Sequence, residues 1–201
     1  MKEYIELGPS SYELWGMASI HNNLDGFLDE IETFIPAKVL FYALNHQPLL
    51  IHYTDIYLGR NVDGSTYFPF LAVKTKEILA HEFAHLVDAL YLSVFGIFMR
   101  DHELFRPIVD NALGTLPTRA AAYYKDRAEV FARVFEIGYS REVWSVEGNY
   151  PKFSRFGETH GPRMYGYEFE NKWDGLYREA WLDAIYATIG ELAGAAKKKQ
   201  T

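Results

Sequence analysis

Hydrophobic positions along the first half of the chain change from a helical to a strand-like spacing. Apolar residues recur at helical spacing from Tyr12 to Phe34, and a short second helix is expected from Pro36 to Ala43. The segment from Leu49 to Leu58 is rich in β-forming residues, and Thr66 to Val73 has the composition of a returning strand. The turn-forming residues Asn61–Ser65 lie between them, so we expect a β-hairpin.

The second half of the chain has mainly helical periodicity. A long helix is predicted from Lys74 to about Phe98, an amphipathic helix from Asp126 to Tyr139, and a last helix from Lys172 to Ala196. Between the last two, Gly148 to Phe169 is rich in glycine, proline and aromatic residues and is expected to be irregular. The order of helix, hairpin and further helices predicts an α+β fold.

The composition predicts a globular protein and argues against nucleic acid and membranes as its partners. With 201 residues, of which 49% are hydrophobic, we expect a single domain over 1–196 and a flexible basic tail over 197–201. A net charge of −7 disfavours nucleic acid, whose phosphates require clustered Lys and Arg. No secretory signal or membrane-spanning stretch is evident, and cysteine is absent, so we expect a cytoplasmic protein without membrane contact.

The pentapeptide His81-Glu82-Phe83-Ala84-His85 lies within the long predicted helix and matches the zinc-peptidase pattern H-E-x-x-H. Histidines four residues apart lie one above the other on a helix, so both imidazoles can reach one metal ion. Glu82 is placed to take a proton from a water at that ion. Because cysteine is absent, every zinc ligand must be a His, Asp or Glu side chain.

A catalytic zinc ion usually has three protein ligands and a water, so a third ligand is expected later in the chain. Glu129 lies on the amphipathic helix at the border of its apolar and polar faces, although a solvated helix glutamate explains its position equally well. Asp88, three residues beyond His85, can orient an imidazole or can have an ordinary surface or capping role.

Two segments of the chain resemble the core of the glutamate-zincins. The first is His81 to Asp88, and the second is Tyr123 to Phe135, which contains the pattern E-x-F-A-x-x-F. The closest types are the anthrax lethal factor-like metalloproteases and the zincin-like domains of phage and other mobile-element proteins. One departure is Arg133, which stands where the lethal factor-like enzymes have a second acidic residue. The mobile-element domains often have Arg there, so that branch is favoured.

The resemblance implies a zincin-like fold in which a small β-hairpin or sheet packs on the active-site helix and the rest is mostly helical. It implies one zinc ion held by His81, His85 and Glu129. It also implies a tyrosine that stabilises the transition state, for which Tyr123 is the nearer match and Tyr124 the alternative. The expected activity is hydrolysis of a peptide bond in a peptide or protein substrate, with Glu82 as the general base.

Histidines outside the motif have alternative interpretations. His160, within the aromatic segment, is a candidate for contact with substrate or oxyanion, whereas Asp101-His102-Glu103 is better explained as a solvated turn.

One alternative function is a catalytically silent binding protein of a phage or mobile element that acts on a host factor. A zinc-stabilised structural domain is another, but such a site has no need of Glu82. The substrate, the oligomeric state and the regulation are not indicated by the sequence.

Overall fold

The computed structural model describes residues 5–7, 49–53, 64–67, 70–73, 76–116, 125–144 and 167–198. The predicted helices at 12–34 and 36–43 lie outside these ranges. The described elements are, in chain order, strands β1 (Ile5–Leu7), β2 (Leu49–Tyr53), β3 (Gly64–Tyr67) and β4 (Phe70–Val73) and helices α1 (Lys76–Phe95), α2 (Phe105–Thr115), α3 (Arg127–Trp144) and α4 (Tyr167–Lys198).

The described strands form one sheet in the order β1-β2-β4-β3. The predicted hairpin is wrong, because β2 and β4 run parallel, with Leu50 opposite Phe70. The antiparallel pair is instead β3 with β4, in which Tyr67 lies opposite Phe70 and only 68–69 separate the strands. Gly64 and Ser65, expected in the turn, are already paired with β4. Two strands joined by a two-residue connection must run antiparallel, whereas a parallel pair needs a longer crossover.

The predicted α+β class is wrong for the part of the chain whose side chains the structure describes. That part is 86% helical, and no complete strand lies within it. The strands are short, with three to five residues each, whereas α4 alone has 32. The prediction gave the strand-like runs the same weight as the helical segments, whereas the described helices are several times longer than the described strands. Among the described side chains, every buried hydrophobic residue lies on a helix or in the short 3-10 turn Met99–Asp101, so helices build this core.

The chain divides into two compact units, 1–99 with 185–201, and 100–184. In the first unit, α1 contributes Phe83, Leu86 and Val87 to the core, and all three are fully buried. The helix ends at Phe95 and is followed by Gly96, whose φ of 76° suits glycine and whose N–H donates to the Leu92 carbonyl at 2.8 Å. Although α1 is apolar, none of the helices within the described ranges is long and apolar enough to cross a membrane.

The C-terminal helix is longer than the sequence pattern predicted. It begins at Tyr167, so 167–169 belong to a helix and not to the irregular segment expected over Gly148–Phe169. It also takes in the first two residues of the segment expected to be a tail, because it ends at Lys198. In the first unit it is joined to α1 by a hydrogen bond from the Tyr91 hydroxyl to Glu191.

In the second unit, α2 and α3 pack through aromatic side chains. The rings of Phe105 and Phe131 meet edge to face with centroids 5.2 Å apart, and Phe135 makes a similar contact with Trp181 at 5.6 Å. Helix α3 begins behind Asp126, whose carboxylate accepts the Ala128 N–H at 2.7 Å as an N-cap does.

Arg127, the first residue of α3, ties the start of that helix to its neighbours. Its guanidinium pairs with Asp101 at 3.2 Å and with Asp110 of α2. The hydrogen bond to Asp110 raises the pKa of Arg127 above its ordinary value. These two ion pairs and the Asp126 cap hold the first turn of α3, the turn that carries Glu129.

We expect Phe131→Ala to lower the free energy of unfolding by about 3–5 kcal/mol, because it leaves a cavity between α2 and α3. Phe131 is fully buried. Denaturant titration followed by circular dichroism measures the loss. Tyr186→Ala is the matched control, since 57% of that aromatic side chain is exposed and its removal is expected to cost less than about 1 kcal/mol. Equal losses for the two variants would contradict this description of the core.

Candidate metal centre

Helix α1 places the imidazoles of His81 and His85 side by side. The two residues are one helical turn apart, and their Nε2 atoms are 3.3 Å apart. The rings meet edge to face with centroids 4.9 Å apart. His81 is buried, with 6% of its surface exposed, and His85 is half-buried. The H-E-x-x-H segment therefore lies on a helix, as its spacing predicted.

The separation of these nitrogens fits two ligands of one zinc ion. With Zn–N bonds of about 2.0–2.1 Å and a tetrahedral angle, two ligand nitrogens lie about 3.3–3.4 Å apart. The distance between the two Nε2 atoms is 3.3 Å. A long hydrogen bond between the rings, one nitrogen donating and the other accepting, is the alternative explanation of the same distance. The donor set, two imidazoles with a carboxylate, is one that zinc prefers.

Glu129 supplies the carboxylate of this group. One ligand atom from each of His81, His85 and Glu129 can be chosen such that all three lie within 4.8 Å of one another. Glu129 is half-buried, in the first turn of α3. Among the described residues, this group of His, Asp and Glu side chains is one that could hold a metal ion.

Glu82, which lies between the two histidines in the sequence, is buried, and its carboxylate is hydrogen-bonded to a threonine. Glu82 has 6% of its surface exposed, and its Oε2 accepts a hydrogen bond of 2.7 Å from the hydroxyl of Thr66. The same hydroxyl lies 2.9 Å from the backbone carbonyl of Glu82. Sequence reasoning missed Thr66, because a threonine in a strand is ordinary and nothing marks one 16 positions upstream as a partner of the motif.

Asp88 and the 101–103 segment were the other candidates near the motif helix. Asp88 is buried, with 2% exposed, so it is not a solvated surface residue; its role in orienting an imidazole stays a prediction. The Nδ1 of His102 accepts the Leu104 N–H at 3.3 Å, and its carbonyl accepts two further N–H groups at the start of α2. Asp101 pairs with Arg127, and Glu103 is exposed. The 101–103 segment therefore has a structural role: it makes hydrogen bonds at the start of α2 and an ion pair at the start of α3.

Three predicted site residues lie outside the described residues. They are Tyr123 and Tyr124, expected to stabilise the transition state, and His160, expected to contact substrate or oxyanion. The helix that follows the tyrosines begins at Arg127. Their functions stay predictions.

Comparison of the chain with protein-family models, with curated proteins and with solved structures found no match. The likeness to glutamate-zincins therefore depends on the two sequence segments that carry it. The geometry adds the group formed by His81, His85 and Glu129, which could hold a metal ion.

Proposed function

We propose that this protein is a zinc-dependent metallopeptidase of the glutamate-zincin type that cleaves a peptide or protein substrate. The observation that carries the proposal is the group of His81, His85 and Glu129, whose ligand atoms lie within 4.8 Å of one another. Two imidazoles and a carboxylate are also the ligands of several known catalytic zinc sites, in which a fourth position is left for water. The buried carboxylate of Glu82 supplies the group that such chemistry needs beside the ligands.

In this proposal His81, His85 and Glu129 hold the ion. When bound, zinc lowers the pKa of water towards neutrality and polarises a carbonyl group. Glu82 accepts the proton of the attacking water and later delivers it to the leaving amine, so the proton gained in the first half of the reaction is returned in the second. Tyr123, or Tyr124 in its place, donates a hydrogen bond to the oxyanion that develops on the substrate.

The burial of Glu82 favours an enzyme over a structural zinc domain. A carboxylate is costly to remove from water, and a site that only holds an ion gains nothing from a second carboxylate one residue from its first ligand. Despite this cost, Glu82 is buried, with only 6% of its surface exposed, and its carboxylate is hydrogen-bonded to Thr66. We place the enzyme in the cytoplasm because the chain has no cysteine, which fits a reducing compartment.

The proposal is tested by the metal content and activity of the purified protein. We expect about one zinc ion per chain by elemental mass spectrometry and cleavage of some members of a proteome-derived peptide library. A chelator should abolish the cleavage because it removes the ion, and added zinc should restore the cleavage. A chain that carries no stoichiometric transition metal would refute the proposal. A zinc-bound chain that cleaves no peptide would favour a catalytically silent binding protein.

A further inference from the structure

The hydroxyl of Thr66 is hydrogen-bonded to the carboxylate of Glu82. It donates to Glu82 Oε2 at 2.7 Å and lies 2.9 Å from the carbonyl oxygen of the same residue. Both partners are shielded from water, since Glu82 is buried and Thr66 is half-buried. A charge-assisted hydrogen bond in such surroundings is stronger than one on the surface and holds its acceptor in one orientation.

The backbone fixes where this hydroxyl lies. Thr66 is in β3, an edge strand of the described sheet, and pairs with Leu71 of β4. Strand β4 ends at Val73 and α1 begins at Lys76, so only 74–75 separate the sheet from the helix that carries Glu82. A β-branched side chain in a paired strand has few rotamers, so the backbone of β3 restricts the positions that the hydroxyl can take.

We infer that Thr66 is a positioning residue that holds the carboxylate of Glu82 in its working orientation, an inference that rests on the proposed peptidase function. A glutamate has three side-chain torsions, and its effectiveness as a base depends on a fixed distance to the water it deprotonates. The 2.7 Å bond from Thr66 restricts those torsions without involving either histidine.

The two distances also suit both protonation states of Glu82 during turnover. A hydroxyl has one proton and two lone pairs. When Glu82 is a carboxylate, Thr66 donates its proton to Oε2. When Glu82 has taken the proton from water on Oε1, Oε2 is the remaining unprotonated oxygen of the acid and still accepts from Thr66. The backbone carbonyl oxygen of Glu82, 2.9 Å from the same hydroxyl, is a second acceptor for the Thr66 proton. The same threonine therefore supports the residue before and after proton transfer, and no further proton is needed.

The test compares Thr66→Val, which keeps the β-branched shape but removes the hydroxyl, with Thr66→Ser, which keeps the hydroxyl. For the valine variant we expect the kcat for a cleaved library peptide to fall roughly 10- to 100-fold, with little change in KM or in zinc affinity. The serine variant should recover most of the rate. Thr115→Val is the matched control: it also removes a threonine hydroxyl, one that donates to the Ala112 carbonyl at the end of α2, and it should leave kcat unchanged.

Crystal structures of the wild type and the Thr66→Val variant give a second readout that does not need activity. We expect one Glu82 side-chain conformation in the wild type and more than one, or a different one, in the variant. An unchanged Glu82 conformation together with an unchanged kcat would overturn the positioning role. A wild-type protein that binds zinc but cleaves nothing would instead count against the peptidase function, and the Glu82 conformation would still decide whether Thr66 positions it.

Discussion

Glu82→Gln is expected to lower kcat about 10²- to 10⁴-fold while zinc stays bound. The amide has the shape of the carboxylate but cannot accept the proton of the attacking water, so the general-base contribution is lost. The ligands His81 and His85 are untouched, and the amide oxygen can still accept the hydrogen bond that Thr66 donates at 2.7 Å. Elemental mass spectrometry and single-peptide kinetics on the same preparations measure the two properties separately.

The matched control for this variant is Glu103→Gln. Glu103 is an exposed glutamate just beyond the motif helix, so the same chemical change there should leave both the rate and the zinc content as they are. If Glu82→Gln lost zinc as well, the carboxylate would have to belong to the ligand set. If it retained the full rate, another group would have to serve as the base, and the assignment to Glu82 would be wrong.

Glu129→Ala is expected to weaken zinc binding more than about 100-fold and to abolish cleavage at zinc concentrations that saturate the wild type. Loss of a partner that merely orients a ligand costs 10- to 100-fold in affinity, so loss of a direct ligand should cost more. Two histidines on one helical turn remain, and two ligands leave a catalytic zinc ion under-coordinated. Competition with a chromophoric chelator measures the affinity.

The fold of the Glu129→Ala variant has to be shown intact for this result to be informative. The first turn of α3 does not depend on Glu129, because it is held by the Asp126 cap and by the ion pairs of Arg127 with Asp101 and Asp110. Circular dichroism and thermal unfolding should therefore match the wild type. Glu103→Ala again serves as the exposed control. Unchanged stoichiometry and affinity in the Glu129 variant would require a different third ligand.

Helices were predicted from the sequence better than strands were. The motif helix was expected over 74–98 and lies at Lys76–Phe95, and the amphipathic helix expected from Asp126 begins at Arg127. Repeated apolar residues at a period of 3.6 over many turns leave little ambiguity. The strands were misjudged because their pairing depends on neighbours distant in sequence. Nothing local indicates that Leu50 pairs with Phe70 in parallel, or that Ser65 is already within a strand.

The sequence alone determined the local half of the candidate site. The period of the α-helix is enough to bring His81 and His85 together, and the absence of cysteine limits the ligands to His, Asp and Glu. Only the tertiary structure could show that the ligand atoms of His81, His85 and Glu129 lie within 4.8 Å of one another, that Glu82 is buried, and that its carboxylate is bonded to Thr66. The physical reason is that helical spacing relates residues within one turn, whereas contacts between separate elements are decided by the packing of the whole chain.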